Sequence, residues 1–276
     1  FKSYWDDSLS LSNNYINTIY EDSRGNIWLG TSAGGVNKFD KKNNSFTRYT
    51  YNPGKPQKNL NSPEVTSICE DNNGNLWFGT TTGGLNIFNR STEEFTYYTY
   101  SNENKNGISS RKISCIYKDK KRRLWIGTYG GGLNLFLKNS FIHFGKKDGL
   151  TSNIIYSITE DDVGNLWLAT NKGLSRFNPE SKDAKNFDES DGLQGKEFNP
   201  RAIVKHPNSG AIYFGGTKGL NIYNQHSIYN VLTTPPVFIT DLKIFYKSVI
   251  PGKDSPIQES ISYAKEINLS YDQNVI

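Results

Sequence analysis

The 276-residue chain contains no methionine, two cysteines and three histidines, and it has no run of 18 apolar residues. Each scarcity excludes something. Two cysteines cannot build a disulfide scaffold or a cysteine-rich metal cluster. His143, His206 and His226 stand outside any H-x-x-x-H spacing and no C-x-x-C occurs, so no metal site and no cofactor is expected. Without a long apolar run, no helical membrane span is expected. The opening Phe1-Lys2-Ser3-Tyr4-Trp5 lacks the basic-then-apolar order of a leader. The expectation is therefore a piece of a longer protein, with any leader or membrane anchor outside these residues. Thirty-two basic against 27 acidic residues leave a net charge of +5, too mild for a nucleic-acid surface.

What the chain does have is aromatic residues, 13% of the total, and a repeat. Glu21-Asp22-Ser23-Arg24-Gly25-Asn26-Ile27-Trp28-Leu29-Gly30-Thr31 returns as Glu70-Asp71-Asn72-Asn73-Gly74-Asn75-Leu76-Trp77-Phe78-Gly79-Thr80. It returns again around Trp125, with Arg122-Arg123 in place of Gly-Asn, around Trp167, and in a fifth form around Tyr213. The anchors are 49, 48, 42 and 46 residues apart. Spacing of roughly 40–50 residues belongs to propeller blades.

Each repeat divides into four short β-branched and aromatic runs bounded by Asn, Gly, Asp and Ser. In the second repeat these are Val65–Cys69, Leu76–Gly79, Gly84–Phe88 and Phe95–Tyr100. The pattern predicts an all-β fold: about five four-stranded blades forming part of a larger ring, near 14–60, 61–110, 111–150, 151–200 and 201–232. Phe1–Tyr4 read as the outer strand of a preceding blade. Cys69 and Cys115 share strand parity, so both thiols point the same way around the ring and cannot bridge neighbouring blades. After Thr233-Thr234-Pro235-Pro236, Val237–Phe245 and Glu266–Tyr271 alternate as strands do, which sets off a second, truncated module over 233–276.

The pattern E-D-x-x-G-N-[IL]-W-x-G-T followed by G-G-[VL]-N resembles the two-component regulator propeller repeat. The segment Pro235-Pro236-Val237-Phe238-Ile239-Thr240-Asp241-Leu242, with Asn268-Leu269-Ser270-Tyr271-Asp272-Gln273-Asn274, resembles the start of the Ig-like triple-tyrosine module that follows such propellers. Together the resemblances implicate the periplasmic sensor region of a Bacteroides-type hybrid two-component system. They imply detection of oligosaccharides, acidic or neutral, control of polysaccharide-utilisation genes, and a homodimer. In that family a membrane helix, kinase, receiver and DNA-binding domain follow. Kinase activity is thus not expected of these residues, and contact with the membrane would run through other segments.

No enzyme constellation accompanies the repeats: there is no G-x-S-x-G elbow, and the acidic turns miss the EF-hand order. The glycine-rich Gly127–Gly132 leads into a strand rather than a helix. Binding is left. The Asp-x-x-Gly turns are near copies, whereas the loops joining second to third strands, on the opposite face, differ between repeats. Residues free to vary on a repeated frame are the better recognition candidates. These are Tyr129, for stacking on a sugar ring, and Arg111, Arg201, Lys172 and Lys218, for hydroxyls or anionic groups. The rival reading is a propeller used only for protein interaction or dimerisation, without a small ligand.

Overall fold

A computed structural model describes residues 1–224, 240–264 and 266–271, which fall into two compact units, Phe1–Ser227 and Ile228–Ile276. The first unit is a run of antiparallel blades. Blade one comprises β1 (Ile16–Glu21), β2 (Ile27–Thr31), β3 (Val36–Asp40) and β4 (Ser45–Tyr49). Blade two has β5 (Val65–Glu70), β6 (Leu76–Thr80), β7 (Leu85–Asn89) and β8 (Glu94–Tyr98), and blade three β9 (Ile113–Lys118), β10 (Leu124–Thr128), β11 (Leu133–Leu137) and β12 (Ser140–Phe144). Blade four follows with β13 (Ile155–Glu160), β14 (Leu166–Thr170), β15 (Gly173–Phe177) and β16 (Ala184–Phe187). Blade five holds β17 (Phe198–Lys205), β18 (Ile212–Gly216) and β19 (Gly219–Tyr223). In every sheet the strands lie side by side in chain order. The first strand of blade five begins at Phe198, and the blade has three strands among the described residues; residues 225–239 lie outside them.

The motif is explained by what its residues hold. The indole N–H of Trp28, Trp77, Trp125 and Trp167 donates to the carboxylate of Asp22, Asp71, Asp119 and Asp161 at 2.9, 3.0, 2.8 and 3.1 Å. The same carboxylates accept the backbone N–H of the residue four further on, which closes the turn. The turn needs a left-handed residue, glycine in most blades; Arg122 takes that position with φ 65°. The glycine after the Trp exists for the next blade: a Cβ on Gly79 would sit 2.6 Å from the Ile113 side chain. The following threonine donates to the carbonyl at the entry of the third strand, as Thr80 does to Gly84. Where Pro207 replaces the aspartate, Tyr213 replaces the tryptophan. The hydrogen-bonded pair is lost together.

Four apolar clusters fill the gaps between successive blades. All four anchor tryptophans are at most 2% exposed. Leu76 and Phe78 face blade one, while Trp77, Leu85 and Cys69 face blade three. Cys115 likewise packs toward blade four, and both thiols are free, buried and pushed up to about 12 by burial. The shared orientation read from strand parity is what the clusters show.

The inner strands β1, β5, β9, β13 and β17 pack each against the next, and β17 also reaches β9. No comparable packing joins β1 to β17 among the described residues. Ile19 on blade one and Val204, Leu220 and Ile222 on blade five, at register positions buried inside the arc, are more than half exposed. Phe1–Tyr4 form no strand, although the Phe1 ring packs on Phe39 and Phe46 at 5.0 and 5.2 Å.

In the second unit the described residues form one short hairpin, β20 (Lys243–Ile244) with β21 (Lys247–Ser248), and turns. Residues 266–271 are not a strand, contrary to the alternation read there; Tyr271 is fully exposed, so no packed layer stabilises an extended segment. Thr233–Pro236, Val237–Ile239 and Asp272–Asn274 lie outside the described residues.

Candidate functional site

Antiparallel order within each blade puts the Asp-x-x-Gly turns on one face and the second-to-third loops, with the interblade loops, on the other. On that second face the inner strands share an irregularity. Each of β1, β5, β9 and β13 skips one residue in its pairing, leaving Asn17, Thr66, Ser114 and Tyr156 as single-residue bulges. Three of the four make the same bond. Asn17 donates to the Val65 carbonyl at 3.1 Å, Thr66 to the Ile113 carbonyl at 2.8 Å, and Ser114 to the Ile155 carbonyl. A small polar side chain thus stitches each inner strand to the next blade.

The pattern stops at blade four, where the bulge residue is Tyr156. In β17 the irregularity widens: pairing is regular at Phe198 and resumes at Ile203, so Asn199, Pro200, Arg201 and Ala202 stand where other blades carry two residues. Arg201 sits inside β17 in the left-handed region, φ 64°, and is exposed. It does not precede its strand as its sequence position suggests.

Tyr129 follows β10 and is half-buried. Its N–H donates to the Lys112 carbonyl and its carbonyl accepts the Ser110 hydroxyl, so the residue is fixed at both ends. The Tyr156 ring meets it edge-on at 5.7 Å, and the Lys112 ammonium lies 4.4 Å from its ring centre. Burial raises the Tyr129 hydroxyl above its ordinary value; the Arg201 charge opposes this, and Tyr156, Cys115 and Glu64 add to it. Burial also raises Tyr156, with Glu197 contributing. Blades three and four therefore meet here through Lys112, Tyr129 and Tyr156, and the charges of Glu64, Arg201 and Glu197 act on the two hydroxyls.

The other sequence candidates are surface residues with partners of their own. Lys218 pairs with Glu189 at 3.2 Å on the surface, and Lys172 is exposed, with its backbone N–H on Thr170. Arg111 is exposed, and its carbonyl receives the Gly84 N–H at 2.9 Å. Tyr156 and Lys112 escaped the sequence reading. For Tyr156 a signal is present, since Asn17, Thr66 and Ser114 set a small-polar rule that it breaks; the insertion in β17 also shows, since Phe198 stands 15 residues before its anchor where Val65 stands 12 before Trp77. Of the histidines, His143 bonds the Gly107 carbonyl and His206 contacts Ser209, while His226 lies outside the described residues. No group of three or more His, Cys, Asp or Glu placed to hold a metal ion occurs among the described residues.

Four segments, 10–33, 59–82, 107–130 and 149–172, match the family model for the two-component regulator propeller. The chain carries two-component regulator propeller repeats. Each matched segment runs from an interblade loop through the Trp anchor to a second-to-third loop, and the divergent fifth blade is unmatched. A 126-residue stretch is 33% identical to histidine kinase P4 of Formosa agariphila; it is 45% of this chain and 9% of that kinase. Among solved structures, the extracellular domain of a hybrid two-component system of B. thetaiotaomicron superposes over 82% of this chain and 29% of its own, with TM-score 0.67 and 24% identity. The extracellular domain of a one-component system of the same organism covers 99% and 42%, with TM-score 0.58 and 22% identity. Virginiamycin B lyase from Staphylococcus aureus, at TM-score 0.52 and 16% identity over 75% of this chain and 68% of its own, also shares the propeller fold. The matched stretch thus spans only a small part of that kinase. No helix among the described residues is long and apolar enough to cross a membrane.

Proposed function

We propose that this chain is the ligand-sensing part of a periplasmic ectodomain belonging to an inner-membrane hybrid two-component histidine kinase. It binds oligosaccharides and passes occupancy, through a homodimer, to a kinase elsewhere in the protein. The observation that carries this reading is the run of regulator-propeller repeats shared with a histidine kinase. The propeller itself is non-enzymatic in this proposal: its chemistry is recognition on the loop face, where repeat symmetry is relaxed. Tyr129 and Arg201 contribute directly, with Arg111, Lys172 and Lys218 as further contacts on the loop face.

Calorimetric titration of the chain with oligosaccharides tests the reading. Loss of one stacking or polar contact costs about 1–3 kcal/mol, so Tyr129→Ala should weaken binding roughly ten- to a hundred-fold while leaving the melting temperature unchanged. The exposed apolar faces of blades one and five favour a second reading, a protein-docking platform. Association of the chain without saccharide binding would select it.

A further inference from the structure

The break in the interblade stitching carries an inference beyond the general binding face. In blades one to three the bulge residue is spent on structure: Asn17, Thr66 and Ser114 each bond the next blade. At the last two blades that duty is dropped. Tyr156 turns its ring to Tyr129 instead, and β17 accommodates two extra residues at the same level. A widened bulge re-aims side chains. A non-glycine residue held at positive φ costs free energy, which surrounding structure must offset; such residues cluster at ligand sites. Arg201 has both features, and its strand is the one that reaches across β13 to β9. β9 is preceded immediately by Lys112, whose ammonium lies over the Tyr129 ring.

At the mouth of the arc one cation, Lys112, thus lies over an aromatic pair, and a second, Arg201, stands on the strand that reaches β9 beside it. The acidic groups near them are Glu64, whose carboxylate accepts the Thr81 hydroxyl at 2.9 Å, and the exposed Glu197. Neither makes an ion pair with Lys112 or Arg201 by distance. Both cations therefore keep their charge available to an incoming anion, while Lys112 is already positioned by the ring beneath it.

We propose that this mouth is a subsite for the carboxylate or sulfate group of an anionic saccharide, with Lys112 and Arg201 as its cations and Tyr129 and Tyr156 as its aromatic wall. The proposal rests on the sensor reading above and narrows its ligand class. A guanidinium can take either group through two parallel N–H donors, and an ammonium adds a point charge.

The test titrates the chain at fixed ionic strength with three probes: a glucuronic-acid disaccharide, a sulfated disaccharide and a neutral disaccharide. One of the two anionic probes is expected to bind at least about ten-fold tighter than the neutral one, and which one does so separates carboxylate from sulfate. Lys112→Gln and Arg201→Gln should each weaken the preferred anionic probe roughly ten-fold and change the neutral one less than about two-fold. Tyr156→Ser should weaken all three while the melting temperature holds or rises, because serine at this bulge makes the stitch seen at Ser114. Equal binding of anionic and neutral probes, or indifference to both cation substitutions, overturns the anionic subsite. In that event weakening by Tyr129→Ala still upholds the sensor reading. Binding of none of the probes, nor of longer oligosaccharides, overturns both.

Discussion

The first and last interblade interfaces use the same register positions to opposite ends. Between blades one and two, Arg90 is 7% exposed at its side chain and donates to Asp22 at 2.8 Å and to Glu70. Glu70 also accepts the Ser23 N–H and hydroxyl, and its own backbone N–H donates to the Tyr20 hydroxyl oxygen at 3.1 Å. Between blades four and five the positions of Ser23 and Glu70 hold Asp162 and Lys205, whose 2.6 Å ion pair is partly open to water. Pro207 has no carboxylate for the turn, and Tyr156 makes no stitch of the kind Ser114 makes. The first interface is closed by buried, fully bonded charge. The last is held mainly by its apolar cluster, including Trp167, Phe198 and Phe214. The same strand order and interblade packing therefore survive very different polar content, and polar positions relieved of structural duty become available for binding.

The largest effect that can break this comparison is at the anchors. Trp28 is buried against blade two and bonded to Asp22. Trp28→Ala should cost about 3–5 kcal/mol, the range for deleting a large buried aromatic side chain. Tyr213 is half-buried on the outward face of blade five, so Tyr213→Ala should cost about 1 kcal/mol, near the centre of single-substitution effects. Chemical denaturation of both variants reads the difference. Equal losses would mean that the last blade is anchored as the first is.

Acid should act unequally too. Burial works against the Asp22 charge, but hydrogen bonds from Trp28, from Asn26 and from the Arg24 backbone outweigh it and hold the carboxyl at about 2. Glu70 is also held below its ordinary value: burial raises it, and the Ser23 and Arg90 bonds more than compensate. A carboxyl with a depressed folded pKa stabilises the fold above its unfolded value, and that contribution fades as pH falls through the folded one. For Asp22 the window runs from about pH 4 down to about pH 2, and the amount lost is about 2–3 kcal/mol. Thermal unfolding between pH 2 and 6 should therefore show the gap between wild type and Asp22→Asn narrowing as acid is added. A gap that stays constant would remove Asp22 from the account of acid stability.

The fold was legible because its residues repeat with their bonding partners. Asp22 and Trp28 are six apart in the chain and bonded in space, and the pair recurs or disappears as a unit, so the periodicity carried the architecture and even the orientation of Cys69 and Cys115. Tyr129 and Arg201 were legible as candidates because they vary on that frame. Their convergence was not, since it depends on β17 reaching β9 across an intervening blade, a contact no local pattern encodes. Lys112 was passed over because an isolated lysine before a strand looks like any solvated residue; only its position over a ring distinguishes it. Arg201 falls inside its strand because β17 holds two more residues at this level than the other inner strands do.

The smallest effect sharpens the comparison at a turn midway along the arc. Arg122 occupies the left-handed position that Gly25, Gly74 and Gly164 fill in the other tryptophan-anchored blades. A side chain there carries a conformational cost that glycine avoids. Arg122 recovers part of it, because its Nε–H donates to the Asn72 side chain at 3.0 Å while its carbonyl accepts the Asn72 amide at 2.8 Å. Glycine would keep the carbonyl bond and lose only the exposed guanidinium one, which is worth little in water. The gain in backbone comfort is offset in turn by the greater freedom of glycine in the unfolded chain. Arg122→Gly should thus fall between neutral and about 1 kcal/mol stabilising in denaturant unfolding. A clear loss would show that the Arg122–Asn72 contact, standing where Lys118 has replaced the acid that latches the first and third interfaces, is what joins blade two to blade three on this face.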